Sequence, residues 1–264
     1  MAENSVIDLM MRRRSVRKYT DEMPSQEVIE TIVRAGQQAP FAFQMGSLLL
    51  SKERENHPFK APLLFTICVD SHRHETIMAR RGWELATNDL SLLFFGIQDA
   101  AYMAENMVMA AESLGLGSCF IGRAIYQTEE IKEAYQLPPR VLPLVQLTMG
   151  YPDEDRPTRP RYPIDFCLFE GQYPEYSEEQ VQRAMQEMDE GYMDQAYYKR
   201  VNLMIDLQDG KEETHTFETY GWTEHISRKT GQWLRNVEDL TSQLEACGFR
   251  IDEDRNGGSD VQEH

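Results

Sequence analysis

The sequence is short of cysteine, of long apolar runs and of basic charge, and each shortage argues against a class of function. Its four cysteines, Cys68, Cys119, Cys167 and Cys247, lie far apart with no Cys-x-x-Cys pair. That spacing argues against a zinc cluster, an iron–sulfur site or a disulfide scaffold, and it suits a reducing cytoplasm. No apolar stretch reaches the roughly 18 residues that a membrane span needs. The first 20 residues carry arginines after a short apolar patch, so a secretory leader is not expected. Lys and Arg number 27 against 44 Asp and Glu, a net charge of −17. Such a chain is not expected to bind nucleic acid or an anionic membrane, where attraction to phosphate dominates. His72 and His74 have no third ligand at metal spacing and read as an exposed pair, so no metal site is expected. The glycines from Gly115 to Gly122 follow a helix and not a strand, with the wrong spacing for a dinucleotide fingerprint. No internal repeat is visible.

Against that acidic background one stretch stands out. Five of the seven residues from Arg12 to Lys18 are basic. Guanidinium groups bind phosphate oxygens in pairs, and the Ser15 hydroxyl can add a further contact; the plainer reading is a solvated, basic helix end. A second basic patch, Arg156, Arg159 and Arg161, is laced with Pro157, Pro160 and Pro163. Prolines stiffen an extended segment and reduce the entropy lost when its arginines are fixed on a ligand. The alternative for this patch is a solvated linker.

The 264 residues, 41% of them hydrophobic, suffice for one large or two small domains. Asn4 or Ser5 can cap a helix through Met11, which delivers the chain to the arginines. Pro24-Ser25 opens a second helix with Val28, Ile29, Ile32 and Val33 on one face, ending near Gly36 as a left-handed cap. Ala39 to Gly46 reads as an ordered, apolar loop, because the residue before Pro40 avoids the α region. Strands are expected at Ser47–Ser51 and Leu63–Val69, and a surface helix or loop from Asp70 to Arg81. Ile97 to Leu114 is the clearest helix, apolar nearly all round except for a stripe at Glu105 and Glu112. Such a helix is buried on most sides, in a large core or across a subunit interface. Gly117 to Gly122 reads as a short strand or extended loop. Thr128 caps a further helix, and Val141–Met149 is a strand whose Pro143 suits an edge or a strand start. Helices interspersed with few, short strands indicate an α+β fold.

Taken in order, these segments resemble the FMN-dependent nitroreductase family over about Ser5 to Phe169. Four blocks carry the likeness: Arg13-Arg14-Ser15-Val16-Arg17, the Ala39-Pro40 loop, Leu114-Gly115-Leu116-Gly117 through Gly122, and Gly150-Tyr151-Pro152 with Arg159-Pro160-Arg161. The resemblance implies a mixed central sheet flanked by helices, in an obligate homodimer with FMN in clefts at the subunit interface. It implies that Arg13 and Ser15, with Arg14 adjacent, hold the phosphate and ribityl end, that Arg17 approaches the pyrimidine edge, and that Arg159 and Arg161 close on the phosphate. Pro40, Phe41, Ala42 and Gln44 match the loop that the partner subunit supplies. Ile121, Gly122 and Arg123 match positions at the flavin ring, where backbone N–H groups face N5 and O4. Serine and asparagine are usual in the family where this chain has Phe41 and Gln44; Phe41 makes the pocket floor more apolar and narrower.

The implied activity is hydride transfer from NADPH or NADH through flavin N5 to a nitroaromatic or quinone-like acceptor, in two half-reactions without a dedicated catalytic side chain. Two alternatives stand beside it: a related flavin-cleaving or dehalogenating enzyme, and an FMN-binding protein without turnover. The expected division is a flavin-binding domain over 1–172, a mostly helical C-terminal extension over 173–251 and a disordered acidic tail over 252–264. In the extension, Ser177 and Gln180 form a capping box ahead of a helix through Met188. A second helix is expected over Tyr192–Leu207, a turn at Asp209-Gly210, and a last helix near Val237–Cys247 that stops at Gly248. The segment Trp222–Trp233 reads either as a structural appendage or as a lid whose His225, Arg228 and Lys229 meet an anionic nicotinamide phosphate or substrate.

Overall fold

The computed structural model describes residues 4–208, 210–232 and 237–251. Trp233, Asp209 and the tail from Asp252 lie outside the described residues. Helix α1 (Ser5–Arg12) starts at Asn4, whose side chain accepts from Val6 and Ile7 N–H. Ser25 caps α2 (Gln26–Gln37) in the same way, through Val28 N–H. Strands β1 (Gly46–Ser51) and β2 (Leu63–Asp70) follow, then α3 (Ser71–Arg80), capped by Asp70. The long helix α4 (Asp89–Ser113) is capped by Asn88, so it begins eight residues before the expected Ile97. Next come β3 (Gly117–Ile121), α5 (Thr128–Tyr135) and β4 (Val141–Gly150). Four helices follow, α6 (Glu178–Asp194), α7 (Tyr197–Val201), α8 (Trp222–Gln232) and α9 (Val237–Ala246), joined by irregular segments.

The four strands form one sheet in the order β1-β2-β4-β3, every neighbouring pair antiparallel. A parallel pairing enters as a bridge between Ser15 and Ser118. Helices α2 and α4 cover one face, where Ile29, Ile32, Met107 and Val108 pack with Phe65, Ile67, Leu147 and Met149. Cys68, Ile131, Leu137 and Val141 form a smaller cluster that includes α5.

The chain divides into two compact units, Met1–Asp155 with Asn236–His264, and Arg156–Arg235. The boundary at 172/173 therefore falls within the second unit. Helix α9 belongs to the first unit, where Leu244, Cys247 and Phe249 are part of the main core. Within the second unit, Met188, Tyr192, Tyr198 and Tyr220 make an aromatic core of their own.

Several local expectations need correction. Gly36 is no left-handed cap; it lies inside α2, and a Cβ there would stand 2.6 Å from Met107 Cγ, so it serves the close approach of α2 to α4. Pro143, by contrast, keeps to its reading: it is the third residue of β4, in the half that pairs with β2 alone. The register shift opposite Ile67/Cys68 leaves Leu144 as the extra residue there. Thr128 is the first residue of α5 and not its cap; its hydroxyl donates back to the Ile125 carbonyl. The helix expected over Tyr192–Leu207 is broken by Ala196 and Asn202, both at positive φ, leaving only the short α7.

Gly117 sets how closely β3 approaches the arginine run. A Cβ there would lie 2.4 Å from Cγ2 of Val16, itself a buried residue. Gly117→Ala is expected to destabilise the protein by about 1–3 kcal/mol through overpacking, read as a lower urea midpoint at unchanged slope.

Candidate functional site

After α1 the chain runs extended along β3. Ser15 bridges Ser118, and Val16 N–H donates to the Ser118 carbonyl at 2.8 Å. Tyr19 locks this segment: its hydroxyl donates to the Val16 carbonyl at 2.6 Å and lies 2.9 Å from Thr148 Oγ1. The segment after β4 then returns antiparallel, with Thr20 N–H to the Tyr151 carbonyl and Asp153 N–H to the Lys18 carbonyl, each 2.9 Å.

That return brings three acids against the basic run. Asp155 takes Arg14 Nη2 at 2.8 Å, Glu154 takes the Arg17 backbone N–H at 2.6 Å, and Asp153 takes Lys18 Nζ at 2.5 Å. Arg14 and Lys18 are thus engaged by carboxylates, and Arg13 is treated differently. Its Nη1 is shut off from solvent with no hydrogen-bond partner, as are Ser118 Oγ and Glu112 Oε1. Buried polar atoms are rarely left unpaired, so the free Nη1 of Arg13 points to an acceptor supplied from outside the chain. Cys119 follows Ser118 on β3 and turns its thiol to the other face of the strand, where the basic run is also felt. Burial pushes its thiol up, while Arg17, the Ser15 hydroxyl and Arg13 pull it down. Arg13, Ser15 and Arg17 are therefore gathered around one end of β3.

Ile121 ends β3, three residues beyond Ser118, about 10 Å along the strand at ordinary strand rise. There a cleft of about 1170 Å³ opens, lined by Ile121, Arg123, Gln146, Leu64, His57 and Tyr135 among others. Gly122 follows Ile121 and has nothing within 4 Å of where a Cβ would stand. The site is elongated: cationic and partly unsatisfied at one end of β3, open at a bare backbone at the other.

The Pro40–Gln44 loop lines a separate cleft of about 500 Å³, with Pro40, Phe41 and Gln44 among its walls. Its shape is set by Asp99 of α4, a buried carboxylate that accepts from the backbone N–H groups of Ala42 (2.6 Å), Phe43 (3.0 Å) and Met45 (3.0 Å). Arg73 adds two donations, to the carbonyls of Gln44 and Gly46 at 2.7 and 3.0 Å. Phe41 is 57% exposed at the tip. Arg12 and Arg14 line a different cavity, of about 260 Å³.

Comparison with known proteins gives the family of the chain. The profile of the Nitroreductase family matches residues 10–51 and 49–151, more than half of the sequence. The chain belongs to the nitroreductase family. It is a nitroreductase-like oxidoreductase, with the family's α+β fold. The FMN reductase (NADPH) of Bacillus subtilis is 30% identical over 186 residues, 64% of this chain and 75% of that protein. The oxygen-insensitive NADPH nitroreductase of Salmonella typhimurium is 30% identical over 201 residues, 71% of this chain and 82% of its own length. Among solved structures, NfrA2 of B. megaterium superposes with a TM-score of 0.79 at 26% identity, covering 95% of this chain and all of that one.

In this member of the nitroreductase family the second basic pair lies in the unit Arg156–Arg235. There the Arg159 guanidinium stands 3.8 Å over the Tyr197 ring and donates to Gln195 Oε1 at 2.8 Å. Arg161 donates to the Arg159 and Pro160 carbonyls. Of the cations proposed for a lid, Arg228 is buried, with both Glu213 oxygens at 2.6 and 2.7 Å and Glu224 at 2.7 Å. His225 stacks on Tyr198, and burial, then Lys229, lowers its pKa.

Asp99, Arg73 and the Asp153–Asp155 acids were absent from the sequence reading. For Asp99 a signal existed: it is an acid in the middle of a largely apolar helix, and carboxylates are almost never fully buried without partners.

Proposed function

We propose that this chain is an FMN-dependent oxidoreductase that uses NADPH or NADH to reduce a nitroaromatic or quinone-like acceptor, working in the cytoplasm as a homodimer. The observation that carries this reading is the arginine run bridged to the start of β3, where Arg13 Nη1 and Ser118 Oγ are each buried without a partner, with the open backbone of Gly122 at the strand's far end. Two buried donors without an acceptor suit the phosphate and ribityl end of a flavin nucleotide, and a strand's length away a bare glycine suits a flat ring. Arg13, Arg14, Ser15 and Arg17 would hold the phosphate half, and Ile121, Gly122 and Arg123 would line the ring. Pro40, Phe41, Ala42 and Gln44 would come from the partner subunit, and Arg159 and Arg161 would complete the phosphate site. Bound there, the flavin supplies the hydride relay between nicotinamide and acceptor. The protein's own part is to bind, orient and polarise it, with fixed guanidinium charge favouring the reduced, more anionic flavin.

Relatives support both the donor and a broad acceptor range. Their names speak of NADPH with FMN, nitro compounds and Cr(VI), and the Vibrio harveyi NADPH:FMN oxidoreductase was solved with NAD+. Dimerisation is favoured by apolar surface that this chain leaves uncovered: Val6, Ile7, Met10 and Met11 on α1, and Leu90, Phe94 and Phe95 on α4. Exposed apolar patches of that kind mark interaction surfaces. The four unpaired cysteines are in keeping with a reducing compartment.

Arg13→Ala removes a charge-assisted contact worth about 1.5–3 kcal/mol, so the Kd for FMN is expected to rise by about ten- to a hundredfold. Fluorescence titration of FMN into the apoprotein reads this directly. Unchanged affinity would mean that Arg13 does not hold the cofactor.

A further inference from the structure

Glu112 is the third unsatisfied atom of the cluster, and nothing in the flavin reading uses it. It stands in the last turn of α4, half-buried, with Oε1 shut off from solvent and from every donor. Arg13 Nη1, of opposite charge, is equally unpaired. A carboxylate oxygen and a guanidinium nitrogen buried without partners, on side chains within each other's field, are costly in a folded protein unless a change of state resolves them.

We propose that Glu112 is the proton partner of the phosphate site: when an anion settles on Arg13, Glu112 takes up a proton from solvent, and FMN binding is thereby coupled to protonation. This rests on the flavin reading above. The charges facing Glu112 can be enumerated. Arg12, Arg13 and Arg14 act on it from the end of α1. From the segment after β4, Asp155 reaches it only through Arg14, which it binds at 2.8 Å, while Asp153 and Glu154 are taken up by Lys18 and the Arg17 backbone. On β3, Cys119 shares the field of Arg13. Along α4 itself, residues 106–113 hold no other titratable side chain, and Gly115 and Leu116 add none. Burial already holds the Glu112 carboxyl above the usual range, against the pull of Arg13, then Arg14 and Arg12.

The direction of the coupling follows. With no anion bound, the arginines favour the carboxylate. A phosphate on Arg13 cancels that field and adds negative charge close by, so burial prevails and the neutral acid is favoured. The site then changes from three cations and one carboxylate to three cations, one phosphate and one carboxylic acid, with one proton drawn from solvent. A cavity of about 260 Å³ lined by Arg12, Arg14, Glu112 and Pro152, among others, gives that proton a route. Because the bound-state acid is the weaker one, affinity is highest at low pH. It falls as pH rises through the Glu112 titration, by up to about tenfold per unit for one proton.

Calorimetric titration of FMN into the full-length apoprotein, in buffers of different ionisation enthalpy between pH 6 and 8, counts the protons. The ligand's own phosphate, with a second pKa of about 6, releases protons on binding to arginine, so uptake cannot come from it. Wild type is expected to take up protons with FMN, and Glu112→Gln to take up fewer at every pH, with a flatter affinity profile. Riboflavin, which lacks the phosphate, is expected to bind without the uptake. Should Glu112→Gln fail to fold, the sign for wild type decides: net uptake with FMN above pH 7, where the free phosphate is already largely dianionic, against none with riboflavin. Equal proton counts for wild type and Glu112→Gln, or no net uptake with FMN above pH 7, would overturn the role of Glu112 while leaving FMN binding intact. A wild-type protein that binds no FMN at all would instead remove the flavin reading, and this proposal with it.

Discussion

Replacing Arg140 by alanine is expected to cost about 3–5 kcal/mol of folding stability, the usual consequence of stranding the partner of a buried ion pair. Asp89, whose side chain is 1% exposed, receives both ends of the Arg140 fork, at 2.7 and 2.9 Å. The same guanidinium donates to Glu75 Oε1 at 2.7 Å and to the Gly248 carbonyl at 2.8 Å, and stands 4.4 Å over the Phe249 ring. Asp89 also accepts the Arg250 backbone N–H at 2.8 Å. One side chain thereby joins the start of α4, helix α3 and the chain beyond α9. Alanine at 140 leaves a buried carboxylate with too few donors. The double variant lacking both Arg140 and Asp89 should recover part of the loss, because it removes the stranded charge along with its partner. Urea denaturation of the two variants checks this; a single-variant loss under 1 kcal/mol would contradict it.

The second large effect lies in the same helix. Asp99→Ala deprives three loop donors, Ala42, Phe43 and Met45, of their common acceptor. Hydrogen bonds to a charged group contribute about 1.5–3 kcal/mol each, and solvent can replace only some of them. A loss on the order of 3 kcal/mol is expected, together with weaker FMN retention, because the loop proposed to reach the partner's flavin loses its shape. Asp99→Asn separates these contributions: it keeps the volume but turns an amide donor toward backbone donors. Thermal unfolding and FMN titration of both variants would show the order wild type, Asn, Ala. Wild-type stability and affinity in Asp99→Ala would mean that the loop is held by something else.

Much of the fold is legible in the sequence because its determinants are local. Asn4, Ser25 and the Ser177–Gln180 box start their helices as the residue types dictate. The apolar run Leu63–Val69 is the buried strand it reads as. The misreadings arise where local pattern and tertiary context part. Tyr192–Leu207 is rich in large side chains at helical spacing, yet Ala196 and Asn202 adopt left-handed conformations that no spacing rule foretells. At the candidate site, the basic run stood out against an acidic chain, but its acidic partners did not. Arg14 and Asp155 lie 141 residues apart, and Ala42 and Asp99 lie 57 apart. Pairings at such separations depend on how β3, β4 and α4 come together. Glu112 was visible only as part of a polar stripe; that it is half-buried, while Glu105 on the same stripe is exposed, follows from the arginine run lying over the end of α4.

The central claim is that this chain carries a flavin which a reduced nicotinamide can reach. The visible absorption spectrum of the purified protein, recorded anaerobically before and after NADPH is added, tests it most directly. The account predicts a flavin spectrum that bleaches on reduction and returns when a quinone or nitroaromatic is supplied. A colourless protein that also fails to take up added FMN would contradict it.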